Sequence, residues 1–266
     1  MKECFDIVFV VLVYRNTQDL VDFFKSNQIS RSKTIVVCSH YNDDTDTRFS
    51  EIARINHADF IVVPNKGYGY GNNKGCEYAL SNYVFKYLII SNADIKIEQF
   101  DIDVLSKYKD AIIAPNIKNL GGKKQNPNAP YKPSYIQEKI RYELLKGHHS
   151  VLIWLIYAYS RLQKEIYYFF RKIHLANNSI YSAHGSFVIL TKSALDLLYP
   201  LYNERMFLLG EEEHLARQAD KYNIKTYYEP NIVILHKEDG SMKLLNKKVF
   251  ELERQSYIEY FLYWHK

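Results

Sequence analysis

The sequence contains few cysteines, prolines and glycines. Its 266 residues include three cysteines, seven prolines and ten glycines, which excludes a disulfide scaffold, a collagen-like chain and a low-complexity disordered chain. The three cysteines, Cys4, Cys38 and Cys76, are odd in number and far apart. This spacing predicts free thiols in a reducing compartment and no zinc site, so the cytoplasm is the expected location.

Long hydrophobic runs are also missing. No stretch approaches the roughly 18 apolar residues of a membrane-spanning helix, and the longest candidate is Val151 to Tyr159. Asp6 interrupts the start of the chain, a pattern unlike that of a secretory signal. We therefore expect the apolar run from Ile7 to Tyr14 to be a buried first strand. With 47% hydrophobic and 24% charged residues, the composition is that of a globular protein.

Positive charge is concentrated in one segment. The chain has a net charge of +5, and the segment from Tyr131 to Ile180, with eight basic and three acidic residues, accounts for all of it. The segment is also amphipathic and rich in aromatic residues, which is typical of a surface that meets an anionic membrane. The plain alternative is a set of helices packed on the core with solvated Lys and Arg. No nucleic-acid motif accompanies the charge, so we expect no nucleic acid to bind.

The first half of the chain alternates short β-branched runs with helical patterns. Apolar runs separated by helices predict a parallel sheet covered on both faces, as in α/β nucleotide-binding folds. In such sheets ligands bind outside the carboxyl ends of the strands. The predicted strands are Ile7–Tyr14, Thr34–Cys38, Phe60–Val63 and Tyr87–Ser91, and the predicted helices are Thr17–Asn27, Thr47–Asn56 and Asn72–Tyr83.

The second half is predicted to be less regular. Three prolines and two adjacent glycines make 119–133 an irregular loop, which precedes the basic helical segment. The further predicted elements are a strand at Ser186–Thr191, helices at Lys192–Tyr199 and from Glu211 to Lys221, strands at Thr226–Tyr228 and Ile232–His236, and a C-terminal helix from about Met242.

Two short patterns follow predicted strands and have candidate chemistry. The sequence N-K-G-Y-G-Y-G-N-N-K-G, from Asn65 to Gly75, opens a helix. Its glycines permit close approach of a ligand, and a helix N-terminus attracts anions, although a structural glycine turn would look the same. In S-N-A-D, Asp94 lies just past a buried strand, where it is placed either to bind a divalent cation or to cap a turn.

Two further patterns lie later in the chain. Glu211, Glu212 and Glu213 begin a predicted helix, where the helix dipole favours acidic residues. Their mutual repulsion also raises the pKa of the least solvated carboxyl, which suits a general base. His236 ends an apolar strand, and a neutral imidazole there is either a metal ligand or a structural residue.

Together and in this order, the patterns resemble bacterial family-2 glycosyltransferases of the GT-A fold. The resemblance is to the rhamnosyltransferase-like branch, which builds surface polysaccharides such as capsules and O-antigens. It covers most of the chain and rests on V-V-L-V-Y-R-N, V-V-C-S-H-Y-N-D-D-T, the glycine-rich run, Y-L-I-I-S-N-A-D, H-G-S-F-V-I-L-T, F-L-L-G-E-E-E-H-L-A-R and Y-Y-E-P-N-I-V-I-L-H-K-E-D-G-S.

This resemblance implies an α/β fold with a Rossmann-like, mostly parallel central sheet flanked by helices. It implies a single domain, in which residues 1–96 bind the nucleotide sugar. Residues 97–241 would bind the acceptor and include the basic helical insertion 131–180, and residues 242–266 would form a C-terminal helix.

The resemblance also implies a reaction. A sugar such as galactose, galactofuranose or rhamnose would pass from a UDP or dTDP donor to an acceptor hydroxyl, with inversion. Glu212 would be the general base, with Glu211 as the fallback. Asp94 and His236 would hold Mg²⁺ or Mn²⁺, and His184 would lie beside the acceptor. The residues at the family's donor-binding positions are Tyr14, Ser39, Asn65, Gly67, Gly71, Asn73 and Asn92.

Three positions depart from the family pattern. Cys38 and Ser39 stand where many members have Asp-Asn, which leaves base recognition to backbone groups or to Asp43 or Asp44. The usual Glu-Asp pair is Glu-Glu, which lengthens the reach of the second acid. Asn92 replaces an acid that would contact ribose or metal.

The expected setting is the inner face of the cell membrane. The basic segment would dock there as a peripheral contact, close to an oligosaccharide acceptor carried on polyprenyl diphosphate. Two other classes remain open, a noncatalytic nucleotide-binding adaptor of a polysaccharide assembly and a nucleotidyltransferase. The aromatic C-terminal helix is compatible with sealing the core, forming a homodimer or touching lipid.

Overall fold

The computed structural model describes residues 2–41, 44–175, 177–238 and 249–266. Its strands are β1 (Glu3–Val13), β2 (Ser32–Ser39), β3 (Asp59–Val63), β4 (Tyr83–Asn92), β5 (Ile95–Gln99), β6 (Ala111–Asn119), β7 (Ser179–Ile180), β8 (Phe187–Thr191) and β9 (Lys225–His236). Its helices are α1 (Thr17–Ser26), α2 (Thr45–Ile55), α3 (Tyr68–Asn82), α4 (Tyr135–Lys146), α5 (Ser150–Lys172), α6 (Lys192–Leu198), α7 (Glu211–Lys221) and α8 (Val249–Trp264).

The strands form one central sheet in the order β3-β2-β1-β4-β8-β6-β9-β5, with β7 paired to β9. Strands β3, β2, β1 and β4 run parallel, and so do β6 and β9. Strand β8 lies antiparallel between β4 and β6. The fold is therefore α/β with a mostly parallel central sheet flanked by helices, as the alternation of elements predicted.

The first strand is covered on both faces. Successive side chains of a strand point to opposite faces. Val8 and Val10 accordingly belong to a cluster on one face that includes residues of α3. Phe9 and Val11 belong to a cluster on the other face that includes residues of α1 and α2. This two-sided burial explains why the run is apolar without alternation.

Helix α3 packs unusually close to β1 because it carries glycines. A Cβ atom on Gly71 would lie 2.4 Å from a methyl carbon of Leu12, and one on Gly75 would lie 2.2 Å from a methyl carbon of Val10. The helix begins at Tyr68, four positions before the predicted start at Asn72. Most of the glycine-rich run is therefore the first turns of a helix and not a loop.

Several predicted elements differ from the structure. The two strands predicted near Thr226 and Ile232 are one strand, β9, whose register with β6 shifts between Pro115 and Asn116. Strands β5 and β6 were not predicted. The predicted start of the last helix at Met242 lies outside the described residues, and α8 is described from Val249.

The second half of the chain contains the predicted irregular loop and basic helices. Residues 120–134 form no helix and no strand of the sheet, and α4 and α5 follow within the basic segment. Tyr257, Tyr260 and Phe261 of α8 are buried against Tyr142 and Leu145 of α4, so these aromatic residues seal a core. Among the described residues, no helix is long and apolar enough to span a membrane.

Candidate active site

Asp94 and His236 meet at the carboxyl ends of their strands. Asp94 follows β4 and His236 ends β9, and both are buried. The His236 Nε2 atom lies 3.3 Å from Asp94 Oδ1. The backbone N–H of Lys237 donates to the Asp94 carbonyl oxygen at 2.9 Å, which holds the two strand ends together. Two residues 142 positions apart in the numbering are thus neighbours, as the resemblance implied.

A chain of hydrogen bonds orients the His236 ring. The Gln125 amide donates from Nε2 to Glu238 at 2.6 Å, so its carbonyl oxygen is the atom that faces His236 Nδ1 at 2.9 Å. The Nδ1–H therefore donates to Gln125, and Nε2 is the ring nitrogen that faces Asp94. Outer partners of this kind set the ring orientation of metal-binding histidines.

This pair fits two neighbouring ligands of a divalent cation. Two ligand atoms about 2.1 Å from an octahedral ion are about 3 Å apart when adjacent, close to the observed 3.3 Å. Across the described ranges, no third His, Cys, Asp or Glu completes a cluster of three. The residues present would therefore hold Mg²⁺ or Mn²⁺ only together with oxygen atoms of a ligand and water.

The acidic run begins α7, as predicted. Gly210 precedes it with φ +88°, a left-handed conformation that glycine adopts without strain. Burial, and then the neighbouring Glu213, raise the pKa of Glu212 to about 7. Burial, and then Glu212, raise the pKa of Glu211 well above its ordinary value, and its Oε1 has no hydrogen-bond partner.

Of the three acids, Glu212 is the one whose environment suits a general base. It lines an open cleft of about 1060 Å³, whereas Glu211 is buried and does not line it. Glu213 also lines the cleft, but it forms an ion pair with Arg141 at 3.3 Å. The cleft is bounded by residues of α4, α5, α7 and α8.

The loop before β8 joins the acidic run to the strand ends. The Gly185 N–H donates to Glu212 Oε1 at 3.2 Å, and the Gly185 carbonyl accepts from the Tyr68 hydroxyl at 2.8 Å. One residue further, the Ser186 carbonyl accepts from the Asn92 N–H at 2.9 Å. This loop therefore contacts α7, α3 and the end of β4 at once.

His184 lies in the same loop, between the acid and the Asp94–His236 pair. Its ring centroid is 5.6 Å from that of His236, and it also lines the cleft. Burial, then His236, lower its pKa to about 3, so the ring is neutral. Its Nδ1 accepts from the Ser186 N–H at 3.2 Å, which places the ring proton on Nε2. His184 is thus a neutral N–H donor.

Two aromatic rings lie beyond the ends of β1 and β2. The Tyr14 ring contacts the Tyr41 ring edge-on at 5.6 Å, and the Arg15 guanidinium lies 4.4 Å from the centre of the Tyr41 ring. Ser39, the last residue of β2, is buried and lies two positions before Tyr41 in the sequence. The strand ends predicted to hold a nucleoside therefore carry Tyr14 and Ser39, together with Tyr41, which sequence analysis did not single out.

The glycine-rich run is used mainly for packing. A Cβ on Gly67, whose φ is +107°, would lie 2.2 Å from the Phe207 carbonyl oxygen. The Asn73 side chain donates to the Tyr202 carbonyl at 2.9 Å and accepts from the Tyr202 N–H at 3.2 Å. Asn65 is exposed. Gly67 and Asn73 thus join the donor half to the loop before α7, whereas Gly71 packs against β1.

The positions that depart from the family pattern have their own contacts. The Cys38 thiol donates to Asp46 Oδ1 at 3.1 Å, and His40 Nδ1 lies 2.5 Å from the other oxygen of Asp46. Asp44 is exposed before α2, and Asp43 lies outside the described residues. Cys38 thus helps to hold the start of α2 on β2.

Sequence analysis missed residues that act through tertiary contacts. Gln125 lies in the proline-rich loop, and Gly185 was noted only as part of a longer motif. Asp19 of α1 is buried, accepts from Asn16 at 2.6 Å and lies 3.5 Å from Lys237 Nζ. Burial and the charge of Asp94 raise its pKa, so these two carboxylates are close. No local pattern distinguishes Asp19 from an ordinary first-turn acid.

Comparison with known proteins identifies the fold. No protein-family model matches the chain, and no curated protein matches it. The structure of GalNAc-T7 with UDP, GalNAc and Mn²⁺ aligns with a TM-score of 0.57 at 13% identity, over 88% of this chain and 44% of that one. S. aureus TarS aligns with a TM-score of 0.55 at 11% identity, over 97% of this chain and 43% of that one.

A shorter form, S. aureus TarS 1-349, aligns with a TM-score of 0.51 at 12% identity, over 97% of this chain and 70% of that one. This chain spans less than half the length of the first two structures. These proteins are GT-A glycosyltransferases, and the chain has the GT-A glycosyltransferase fold. The predicted fold is confirmed, while membership of the rhamnosyltransferase-like branch stays a prediction.

We expect Glu212→Gln to stabilise the protein at alkaline pH. Burial raises the pKa of Glu212 from 4.5 to about 7 on folding, so the folded chain retains a proton that the unfolded chain releases between these values. Wild-type stability therefore falls as pH rises across this window. Thermal unfolding should give a Tm a few degrees higher for the variant at about pH 8.5. The difference should be absent near pH 4.5.

Glu165→Gln is the matched control. It neutralises a solvent-exposed carboxylate that lines the same cleft, so the Tm should not rise at alkaline pH. A Glu212→Gln Tm that equals the wild-type value at both pH values would contradict a desolvated Glu212 carboxylate.

Proposed function

We propose that this chain is an inverting, metal-dependent family-2 glycosyltransferase. One observation is the main support for this proposal. Glu212 lies at the cleft, on one side of the loop that contains Gly185. Asp94 and His236 lie on the other side of that loop. A base and a cation site separated by a single loop are what a direct displacement at a sugar requires, because one activates the nucleophile and the other receives the leaving group.

Glu212 performs the proton transfer in this proposal. Its carboxylate takes the proton of the acceptor hydroxyl as that oxygen bonds to the anomeric carbon. The bond from the anomeric carbon to the diphosphate breaks on the opposite face, and the diphosphate leaves with the electron pair. A carboxyl with a pKa of about 7 is well matched to this role near neutral pH, since it is both ionised and basic.

Asp94 and His236 would hold Mg²⁺ or Mn²⁺ in the proposed enzyme. The cation would supply charge neutralisation for the departing diphosphate. Asn92, the last residue of β4, lies two positions before Asp94, where its side-chain amide would contact a ribose or phosphate group. The presence of UDP and Mn²⁺ in the GalNAc-T7 structure, which has the same fold, supports the proposal of a divalent cation at the diphosphate.

The donor is proposed to be a UDP- or dTDP-sugar. Tyr14 and Ser39, at the ends of β1 and β2, would hold the nucleoside, with the Tyr41 ring available for stacking. Gly71 and Asn73 would shape the donor side from α3, and Asn65 and Gly67 would do so from the segment before that helix. Galactose, galactofuranose and rhamnose are the sugars that the family resemblance favours.

The acceptor is proposed to be an oligosaccharide on polyprenyl diphosphate, in the assembly of a bacterial surface polysaccharide. The cleft of about 1060 Å³ in front of Glu212 is large enough for more than one sugar unit. His184 would donate its Nε2–H to an acceptor oxygen there. A neutral donor is suited to this task because it binds a hydroxyl without competing with Glu212 for the proton.

Helix α5 supports the proposed peripheral contact with an anionic membrane. Six of its exposed apolar residues recur every three or four positions, which places them on one face, the α5 apolar face. Ile153 and Tyr167, by contrast, are buried. Such a helix lies in a membrane interface with its apolar side down. The residues of this face are Val151, Leu155, Tyr159, Leu162, Ile166 and Phe169.

The donor site is tested first by thermal unfolding with UDP, TDP, GDP and CMP, each with Mg²⁺, Mn²⁺ or EDTA. Because a ligand of the folded state raises stability by RT ln(1 + [L]/Kd), one diphosphate should raise the Tm in a metal-dependent way. Asp94→Asn should abolish that shift, and Asp110→Asn, at an exposed position before β6, is the control that should retain it. Absence of a shift with any nucleotide would favour the noncatalytic adaptor.

The base is tested by sugar transfer from the donor so identified. Glu212→Gln should lower the transfer rate by at least about a hundredfold and leave the nucleotide-dependent Tm shift unchanged. The wild-type rate should fall about tenfold per pH unit below the pKa of about 7. A Glu212→Gln enzyme with the wild-type rate would show that another group accepts the proton.

Membrane contact is tested by sedimentation with vesicles that contain phosphatidylglycerol. The triple variant Leu155→Ser, Leu162→Ser, Phe169→Ser should lose most vesicle binding, because it removes apolar contacts from the α5 apolar face. A matched variant, Ile55→Ser with Val84→Ser, removes exposed apolar residues elsewhere and should bind normally. Binding that is independent of anionic lipid, or equal in both variants, would contradict this contact.

A further inference from the structure

Besides Arg141, four cations line the cleft in front of Glu212, and the proposed reaction does not use them. We call them the cationic cluster, and its members are Lys123, Lys124, Arg161 and Lys164. The first two come from the loop after β6, and the other two lie on α5. Two segments that are distant in sequence thus bring positive charge to one cavity.

Most carboxylates around this cleft already have cationic partners. Arg141 lies 3.3 Å from Glu213 and 3.0 Å from Glu253. Glu138 lies 3.6 Å from Arg217, and it also accepts from the Tyr260 hydroxyl at 2.7 Å. Arg217 and Arg141 together balance two of these three acidic charges, so one of the three is left to face the cationic cluster.

The cationic cluster carries an excess of positive charge. In the part of the chain that the structure describes, no ion pair joins any of its four members to a carboxylate. Arg141 balances only one of Glu213 and Glu253, so with Glu165 and Glu212 three acidic charges face the four cations. Lys124 Nζ lies 4.7 Å from the centre of the Tyr168 ring. A concave site with this imbalance concentrates anions.

The surroundings of Lys164 show that the cationic cluster lowers the stability of the folded chain. It is only partly exposed, and burial followed by the charge of Lys123 lowers its pKa. The positive charge of Lys164 partly opposes the rise that burial causes in the pKa of Glu212. The same charge adds to the lowering that burial causes in the pKa of His184. Cations that are desolvated and close together destabilise a fold, and features of this kind are characteristic of binding sites.

The cationic cluster lies beside apolar surface. Leu155 and Tyr159 belong to the α5 apolar face and also line the cleft. A second cavity of about 590 Å³ shares Lys124 with the first, and its lining includes Arg171 and Lys172 but no carboxylate among the described residues. Positive charge therefore continues along α5 towards solvent, next to exposed apolar side chains.

We propose that the cationic cluster binds a phosphate group of the acceptor. The acceptor would be an amphiphile, with its reacting hydroxyl at Glu212, its phosphate at the cationic cluster and its hydrocarbon along the α5 apolar face. This inference rests on the proposed function, since it assigns the acceptor half of the same site. The ligand chemistry is a phosphate or diphosphate ester, carried either by a lipid or by a polymer.

The test measures binding of four probes to the full chain by calorimetry in EDTA, which removes metal-dependent binding of diphosphate at the donor site. The probes are a short prenyl diphosphate, the matching prenyl alcohol, inorganic diphosphate and glycerol phosphate.

The double variant Lys123→Gln, Lys164→Gln should weaken prenyl diphosphate binding about tenfold or more, because it removes two charge-assisted hydrogen bonds. The control, Lys139→Gln with Lys146→Gln, changes exposed cations of α4 outside the cleft and should bind as wild type.

Comparison of the probes identifies the source of the phosphate. Much tighter binding of prenyl diphosphate than of the other three supports a lipid carrier, whereas similar binding of all three phosphate probes supports a phosphate-containing polymer. The inference is overturned if no phosphate probe binds the wild type. It is also overturned if the Lys123→Gln, Lys164→Gln variant, the cleft variant, binds prenyl diphosphate as tightly as the wild type does.

Two controls separate this inference from the proposed function and from misfolding. The Lys123→Gln, Lys164→Gln variant loses the mutual repulsion of these two cations, so its Tm should not fall. It should also retain the metal-dependent Tm shift with nucleotide, because the donor site lies at the strand ends. Failure of the proposed function would instead remove that shift from the wild type while leaving prenyl diphosphate binding intact.

Discussion

The hydrogen bond from the Gly185 N–H to the Glu212 carboxylate connects the two sides of the candidate site. Glu212 belongs to α7, and Gly185 belongs to the loop that leads into β8, the antiparallel strand between β4 and β6. A Cβ atom on Gly185 would lie 3.0 Å from that same carboxylate oxygen. The acid can therefore reach the backbone only because this position has no side chain, and its place relative to Asp94 and His236 follows from this contact.

The site concentrates groups whose charged forms are poorly solvated. Burial raises the pKa of Glu211 and Glu212 and lowers that of His184 and Lys164. Each shift reflects a cost to the folded state when the group is charged. Hydrophobic clusters on both faces of the sheet offset this cost. The rigid sheet thus permits an arrangement of charges that would not be stable by itself, and that arrangement is what the proposed chemistry uses.

The glycine-rich run shows how one pattern can be explained by packing. Its glycines were expected either to let a ligand approach or to form a structural turn, and in the structure Gly67 lies against the Phe207 backbone and Gly71 against Leu12. Asn73 exchanges hydrogen bonds with Tyr202. These contacts hold the segment before α7 against the donor half. The run therefore contributes to the position of Glu212 across the molecule, which its local sequence does not reveal.

The sequence by itself determined the alternation of buried strands and helices, the polar residues at strand ends, and the acidic start of α7. These features depend on local periodicity and on the preferences of helix termini, which act over a few neighbouring residues. Only the tertiary structure decided that Asp94 meets His236, that Gln125 orients the His236 ring, and that Glu212 and not Glu211 faces the cleft. Those outcomes depend on strand order, on β9 being one continuous strand, and on the solvation of each carboxyl. They are set by contacts between segments more than 20 residues apart, about which local sequence carries no information.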